Sequence, residues 1–147
     1  MSSGSLYVGT DVQELNDSNF RGGKLGNKSG YLMVYAPWCP HCVAKVDIWT
    51  FLGTQFNRQK IDGGLTGIYT INADDPKSQA TVRTLGVEGF PTFYKITNGQ
   101  CQQIEMPGPF SVHSFIQVHC GAGDKCQKDM MKLCGLRPDL CPKLRPE

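Results

Sequence analysis

No apolar run in this 147-residue chain approaches the roughly 20 residues that a membrane-spanning helix needs. An excess of charge is also missing. Fifteen lysines and arginines against 13 aspartates and glutamates leave +2, too little to argue for nucleic acid or an anionic membrane surface. The start, Met1-Ser2-Ser3-Gly4-Ser5, has no basic stretch leading into an apolar one, so no secretory signal is visible. The expectation is a cytosol-like compartment, a signal removed beforehand, or export by another route. No internal repeat is present. Lys28-Ser29 resembles the end of a phosphate-binding loop, but that motif needs glycine at 27, where Asn27 stands, and a strand follows where a helix is required.

What is present suits one ordinary domain with a self-sufficient core: 39% hydrophobic and 19% charged residues are the proportions of a globular protein. Seven cysteines, at 39, 42, 101, 120, 126, 134 and 141, pull against the missing signal, because such a count usually means an oxidising environment.

The most informative run is Tyr35-Ala36-Pro37-Trp38-Cys39-Pro40-His41-Cys42. Before it, Tyr31 to Tyr35 is apolar on both faces, as in a central strand covered by helices on both sides. After it, Val43, Val46, Trp49, Phe51, Leu52 and Phe56 recur at helical spacing and predict a helix from Pro40. Further along, Gly63-Gly64 precedes a strand over Leu65 to Asn72. Asp75-Pro76 opens a helix that Gly86 closes. Thr92 to Thr97, Asn98-Gly99 and Cys101 to Met106 read as a hairpin. Ser111 caps a helix ending at Gly121, with Phe110 and Phe115 placed to staple it. Near the start, a weak strand signal precedes Asn16-Asp17-Ser18-Asn19, which predicts a helix cap, and Arg21 to Gly30 reads as a loop. The order predicts an α/β sandwich with a mixed sheet.

Residues i and i+3 of a helix face the same way, so Cys39 and Cys42 are placed to close a disulfide. Cys39 would be an exposed helix cap, its sulfur near unpaired amides and the positive end of the dipole, conditions that favour thiolate. Cys42, one turn in, would be the shielded resolving thiol. Pro40 sits where a helix loses no amide bond. His41 adds positive charge and a donor, and stabilising the reduced thiolate makes the disulfide a better oxidant. The competing reading of Cys-x-x-C is half a zinc site. It lacks a second such pair, and His113 and His119 lie six positions apart on a helix, pointing well away from each other. No metal and no organic cofactor is implied.

Tyr35-Ala36-Pro37-Trp38-Cys39 with His41-Cys42, followed by Val87-Glu88-Gly89-Phe90-Pro91-Thr92, resembles the thioredoxin superfamily, and within it the catalytic domains of protein disulfide isomerases. The resemblance covers about residues 6 to 120. It implies a thioredoxin-like sandwich, a central mixed β-sheet flanked by helices. It also implies a cis Pro91 lying against the redox pair, with the Phe90 backbone offered to an extended substrate and Trp38 shielding the sulfurs. Catalysis would fall to Cys39, Cys42 and His41, and substrate contact to Trp38, Pro40, Phe90 and Pro91. Partners would be cysteine-containing protein substrates and a redox partner protein. One departure stands out: six residues before the first cysteine, where the family carries a buried acid, this chain has Met33, and no other acid obviously replaces it. Asp47 occupies the place of a helix-kinking proline.

The resemblance leaves out the tail, so the chain divides into a thioredoxin-like domain over 1–121 and a short cysteine-rich C-terminal extension over 122–147. In the extension Asp124 would cap a helix running to Cys134 with Gly135 after it, Arg137 to Pro142 would turn tightly, and Met130, Leu133, Leu136 and Leu140 are the main apolar residues. Cys120, Cys126, Cys134 and Cys141 admit three disulfide pairings; free thiols or a four-thiolate metal knot are the alternatives, the last matching no common zinc spacing. Cys101, on a predicted strand, reads as a small buried hydrophobe.

The sequence therefore points to a thiol–disulfide oxidoreductase leaning toward oxidation or isomerisation. The alternative is a structural or interaction protein using the same fold as a scaffold. One setting joins a cysteine-rich chain to a missing signal: a minor component of a large DNA virus particle, made in host cytoplasm and packaged among oxidised proteins.

Overall fold

The protein was studied as a computed structural model, which describes residues 4–21 and 24–141. Residues 1–3, the loop glycines Gly22 and Gly23, and 142–147, including the Pro142 end of the expected turn, lie outside the described residues. The chain divides into two compact units, Met1–Ile104 and Glu105–Glu147.

The first unit is built on a five-stranded mixed sheet. Its strands are β1 (Gln13–Leu15), β2 (Gly30–Tyr35), β3 (Gly67–Asn72), β4 (Thr92–Thr97) and β5 (Gln100–Ile104), in spatial order β1-β3-β2-β4-β5. β1, β3 and β2 run parallel; β4 and β5 add antiparallel. Every residue of β2 is buried, as its uninterrupted apolar sequence requires of a central strand. Gly30 opens it because the backbone of Gly67 occupies the space a Cβ would need, 2.0 Å from the Gly67 oxygen.

Alternation in the strands separates two faces. On one, Leu15, Leu32, Val34, Tyr69, Ile71, Tyr94 and Ile96 join Phe20 and Leu25 in a core, against which Val82 and Leu85 of helix α3 (Gln79–Leu85) pack. On the other lies the long helical segment after the cysteine pair. Trp49 there packs against Phe93, ring centroids 5.5 Å apart, and its indole N–H donates to the Tyr69 carbonyl at 3.1 Å.

That segment is not the single helix the periodicity predicts. α1 (Pro40–Val43) ends in a turn where the Lys45 amide reaches only three residues back, to the Cys42 carbonyl at 3.0 Å. α2 (Val46–Gly53) then runs into a π-helical turn, Thr54–Arg58. Asp47 contributes no proline kink; its charge sits in the first turn of α2, the favourable end of the dipole. The break turns Val43 out to 49% exposure, while Trp49, Phe51, Leu52 and Phe56 are buried as expected.

Other differences have local causes. Asn16 to Asn19 forms a turn, not a helix start. Asp17 instead caps α3 from a distance, accepting from the Thr81 amide at 2.8 Å and the Thr81 hydroxyl at 2.7 Å, bonds that hold its carboxyl below the usual range. Strand β3 begins at Gly67, leaving Leu65 76% exposed. Asp75 accepts from the Lys77 amide at 3.0 Å at the expected helix entry, and Gly86 closes α3 with φ 69°. The β4–β5 turn has positive φ at both Asn98 (48°) and Gly99 (83°), the primed geometry that suits tight hairpins.

The second unit holds α4 (Val112–Cys120), α5 (Asp124–Met130) and α6 (Lys132–Leu136), then a 3-10 turn, Pro138–Leu140. Ser111 caps α4 in a reciprocal box with Ser114. Asp124 is the first residue of α5 and Gly123 its cap; the expected helix to Cys134 is divided at Met131, and Gly135 lies inside α6. Disulfides join Cys120 to Cys126 and Cys134 to Cys141. Closing loops this short contributes about 2 kcal/mol each by the chain-entropy argument. Met130, Leu133 and Leu140 are buried, whereas Leu136 is 60% exposed. No helix among the described residues is long and apolar enough to cross a membrane.

Candidate active site

Strand β2 delivers the chain through Ala36 and Pro37 to Cys39, the N-cap of α1, with extended backbone (φ −83°, ψ 120°). Pro40 takes the first helical position, where its missing amide costs nothing. Cys39 is less open than an exposed cap: 7% of its surface reaches solvent, and its thiol faces the Phe90 carbonyl at 3.7 Å. Phe90 is 51 residues away in sequence, and the Phe90–Pro91 peptide is cis. A second cis bond, Gly108–Pro109, lies in the other unit, at a position where the sequence carries no signal for one.

Cys42 is completely buried one turn behind. The two sulfurs have opposite tendencies. The Cys42 backbone amide, with help from the Cys42 thiol, the His41 amide and the Lys45 charge, holds Cys39 below the ordinary cysteine range against partial desolvation. Burial pushes Cys42 up to about 11, and the Cys39 thiol adds to the rise. His41 thus bears on the thiolate through its amide, with its side chain on the exposed face of α1. The cation acting there is Lys45, whose ammonium donates to the His41 carbonyl at 3.2 Å and so stays over the first turn. The sequence reading missed Lys45; the available signal was a base six residues after the first cysteine.

Trp38 does not pack inward as a core residue. It is 63% exposed, its indole N–H donates to Asp74 at 3.3 Å, and its ring meets Phe90 edge-on at 6.0 Å. Trp38 thus contacts Phe90, whose carbonyl faces the Cys39 thiol, and half-buried Pro91 follows Phe90 through the cis bond. Met33 is fully buried, paired across the sheet with Thr70 and Phe93. Cys101, half-buried on β5, is held up at about 11 by desolvation. Among the described residues no three His, Cys, Asp or Glu side chains converge to hold a metal.

A mixed sheet with a Cys-x-x-C pair at a helix start beside a cis proline is the architecture of the thioredoxins, and residues 11–118 match the Thioredoxin family. The chain belongs to that family. Among curated relatives it is similar to protein disulfide-isomerase tigA of Aspergillus niger, 30% identical over 105 residues (71% of this chain, 28% of the relative). It is 32% identical over 102 residues to protein disulfide-isomerase 2-3 of Arabidopsis thaliana, covering 67% of this chain and 21% of the relative. The chain therefore spans between a fifth and a third of the length of these relatives. Among solved structures it resembles the first two thioredoxin domains of Saccharomyces cerevisiae Eps1p (TM-score 0.57, 20% identity, 74% of this chain and 39% of that one). It also resembles human ERp44 (TM-score 0.56, 13% identity, 71% and 29%). At these identities the structural likeness speaks for the fold.

Proposed function

We propose that this chain is a thiol–disulfide oxidoreductase domain acting on cysteine-containing proteins. Cys39 attacks a substrate disulfide, or is attacked as half of its own, and Cys42 resolves the mixed disulfide. The observation that carries the reading is the placing of the two thiols: Cys39 at the helix start, facing the Phe90 carbonyl beside the cis Pro91 bond and held below its ordinary range by nearby amides, with Cys42 fully buried one turn behind. A thiolate at ambient pH is the nucleophile the first step needs, and a protonated, shielded partner cannot compete with it for substrate. The amides and the Lys45 charge that favour the Cys39 anion also favour the reduced pair, which supports a lean toward oxidation or isomerisation. Phe90 and Pro91 offer backbone to an extended peptide, Trp38 an apolar lip, and Pro40 and His41 the rim of the opening. Exchange resides in residues 1–121, and 122–147 is a stapled appendage. A second chain able to exchange electrons with Cys39 and Cys42 would complete the cycle.

The test is turnover. The reduced domain should reduce insulin and refold a scrambled disulfide protein, and Cys39→Ser should abolish both. A Cys39 that titrates near about 8.5, with no turnover in either assay, would instead favour the scaffold reading. That reading draws on Met33, the apolar residue buried in the first unit where the family carries an acid.

A further inference from the structure

The end of the sheet away from the cysteines carries a pocket that the exchange reaction does not use. Cys39 lies beyond the last residue of β2, whereas the pocket lies at its start, around Ser29 and Gly67. The six residues of β2, at about 3.3 Å each, put roughly 20 Å between the two places. The pocket has a volume of about 410 Å³, within the range of small-molecule sites.

Hydrogen bonds hold its walls in place. Asn57, on the π-helical turn, donates its side-chain amide to the Asp11 carbonyl at 2.7 Å and to the Ile68 carbonyl at 2.9 Å. Its side-chain oxygen accepts from the Ile68 amide at 2.9 Å, so one residue ties the turn to β3 and to the segment before β1. Ser29 accepts from the Gly67 amide at 2.9 Å through its carbonyl and from the Asn98 amide at 3.0 Å through its hydroxyl.

The lining is basic. Lys28 and Lys60 both border the pocket, and among the described residues no aspartate or glutamate does. Neither ammonium forms an ion pair or a hydrogen bond among the described residues. Lys60 has a left-handed backbone, φ 51°, uncommon outside glycine, and its Nζ lies 4.0 Å from where a Cβ would stand on Gly64. Asp62, in the same loop, is engaged elsewhere, accepting from the Leu65 amide at 3.1 Å. Tyr69 also lines the pocket and is only 6% exposed. Its hydroxyl lies so close over Gly67 that a Cβ there would overlap it, and it has no hydrogen-bond partner among the described residues. A donor held that deep without a partner is costly and uncommon in folded proteins. Leu65, 76% exposed, gives the rim an apolar side.

Two unpaired cations and one buried, unpaired donor around a pocket without acids select an anion rich in acceptor oxygens. We propose that this pocket binds a small organic phosphate, its oxygens against Lys28, Lys60 and the Tyr69 hydroxyl and its organic part along Leu65. A phosphate dianion matches two ammonium groups better than a carboxylate does, and its three free oxygens give each donor an acceptor. Lys28 acts here through its side chain and not as part of a phosphate-binding loop, because its amide already donates to the Leu25 carbonyl at 3.0 Å.

The experiment is a titration of the nitrogen-15-labelled chain with phenyl phosphate at pH 7.5, followed by amide chemical shifts. Shifts should concentrate at Lys28, Ser29, Lys60 and Gly67 and leave Cys39 and Cys42 unmoved, with a dissociation constant near or below about 1 mM. Lys28→Met, Lys60→Met and Tyr69→Phe should each weaken binding about tenfold, the loss of one charge-assisted hydrogen bond. The amide spectrum of each variant shows directly that it remains folded. Inorganic phosphate should bind about threefold or more weakly, having nothing to lay on Leu65, and phenol should move none of these shifts. Insulin reduction should be the same in Lys28→Met as in wild type, so the site and the exchange reading stand or fall separately. No shift at the pocket up to about 10 mM phenyl phosphate, ten times the expected constant, overturns the proposal. An affinity unchanged in all three variants, an equal response to phenol, or inorganic phosphate binding as tightly as phenyl phosphate also overturns it.

Discussion

At pH 8 the two thiols of the reduced chain should differ in reactivity by more than about a hundredfold. Cys42, pushed to about 11 by burial, is then roughly one part in a thousand thiolate. A cysteine with the ordinary value of about 8.5 is already about a quarter ionised at that pH, and Cys39 lies lower. The ratio of anion populations alone is thus about 250 or more, before shielding slows attack at the fully buried Cys42. Short pulses of iodoacetamide between pH 6 and 10, quenched in acid and resolved peptide by peptide by mass spectrometry, measure both rates at once. The Cys39→Ser variant separates the causes. It removes the neighbouring thiol that contributes to the Cys42 rise and leaves desolvation, the largest cause, in place. Cys42 should therefore remain well above an ordinary cysteine. Labelling of Cys42 within tenfold of Cys39 at pH 8, or a Cys39 inflection at or above about 8.5, would refute the electrostatic account of the site.

Stability of the reduced protein should fall above pH 8.5. Folded Cys42 holds its proton to about 11 while the unfolded chain loses it near 8.5, so stability is level below that point and drops by up to about 1.4 kcal/mol per pH unit until 11. The depressed Cys39 works in the opposite sense, its contribution being present above its unfolded value and lost as pH falls through its folded one. Thermal melts of reduced and oxidised protein check this, since neither thiol titrates once bridged and the alkaline fall should shrink on oxidation. Lys45→Met should raise the Cys39 pKa and slow its alkylation at pH 7 by about two- to fivefold, the range of a surface charge effect, while leaving melting within a few degrees. Gly30→Ala should cost more than about 3 kcal/mol, read from urea denaturation, because the added Cβ collides with the Gly67 backbone and not with a side chain that can move.

Short-range chemistry was legible in the chain before any coordinates. The Cys39-Pro40-His41-Cys42 spacing places two thiols on one helix turn, Asn98-Gly99 demands a hairpin turn, and the unbroken apolar run of β2 demands a central strand. Each depends on residues a few positions apart, where steric and hydrogen-bonding preferences act directly. Proximity between distant segments could not be read this way. The Phe90 carbonyl against Cys39, the Asp17 cap on α3, and the hydrogen bond from Tyr35 to Glu14 all join segments set side by side by strand order and register. The same holds for burial: Cys39 was expected at the surface, but the loop carrying Phe90 closes over it. Composition and spacing determined which groups are available, whereas packing decided which of them lose their water and whose charge they feel.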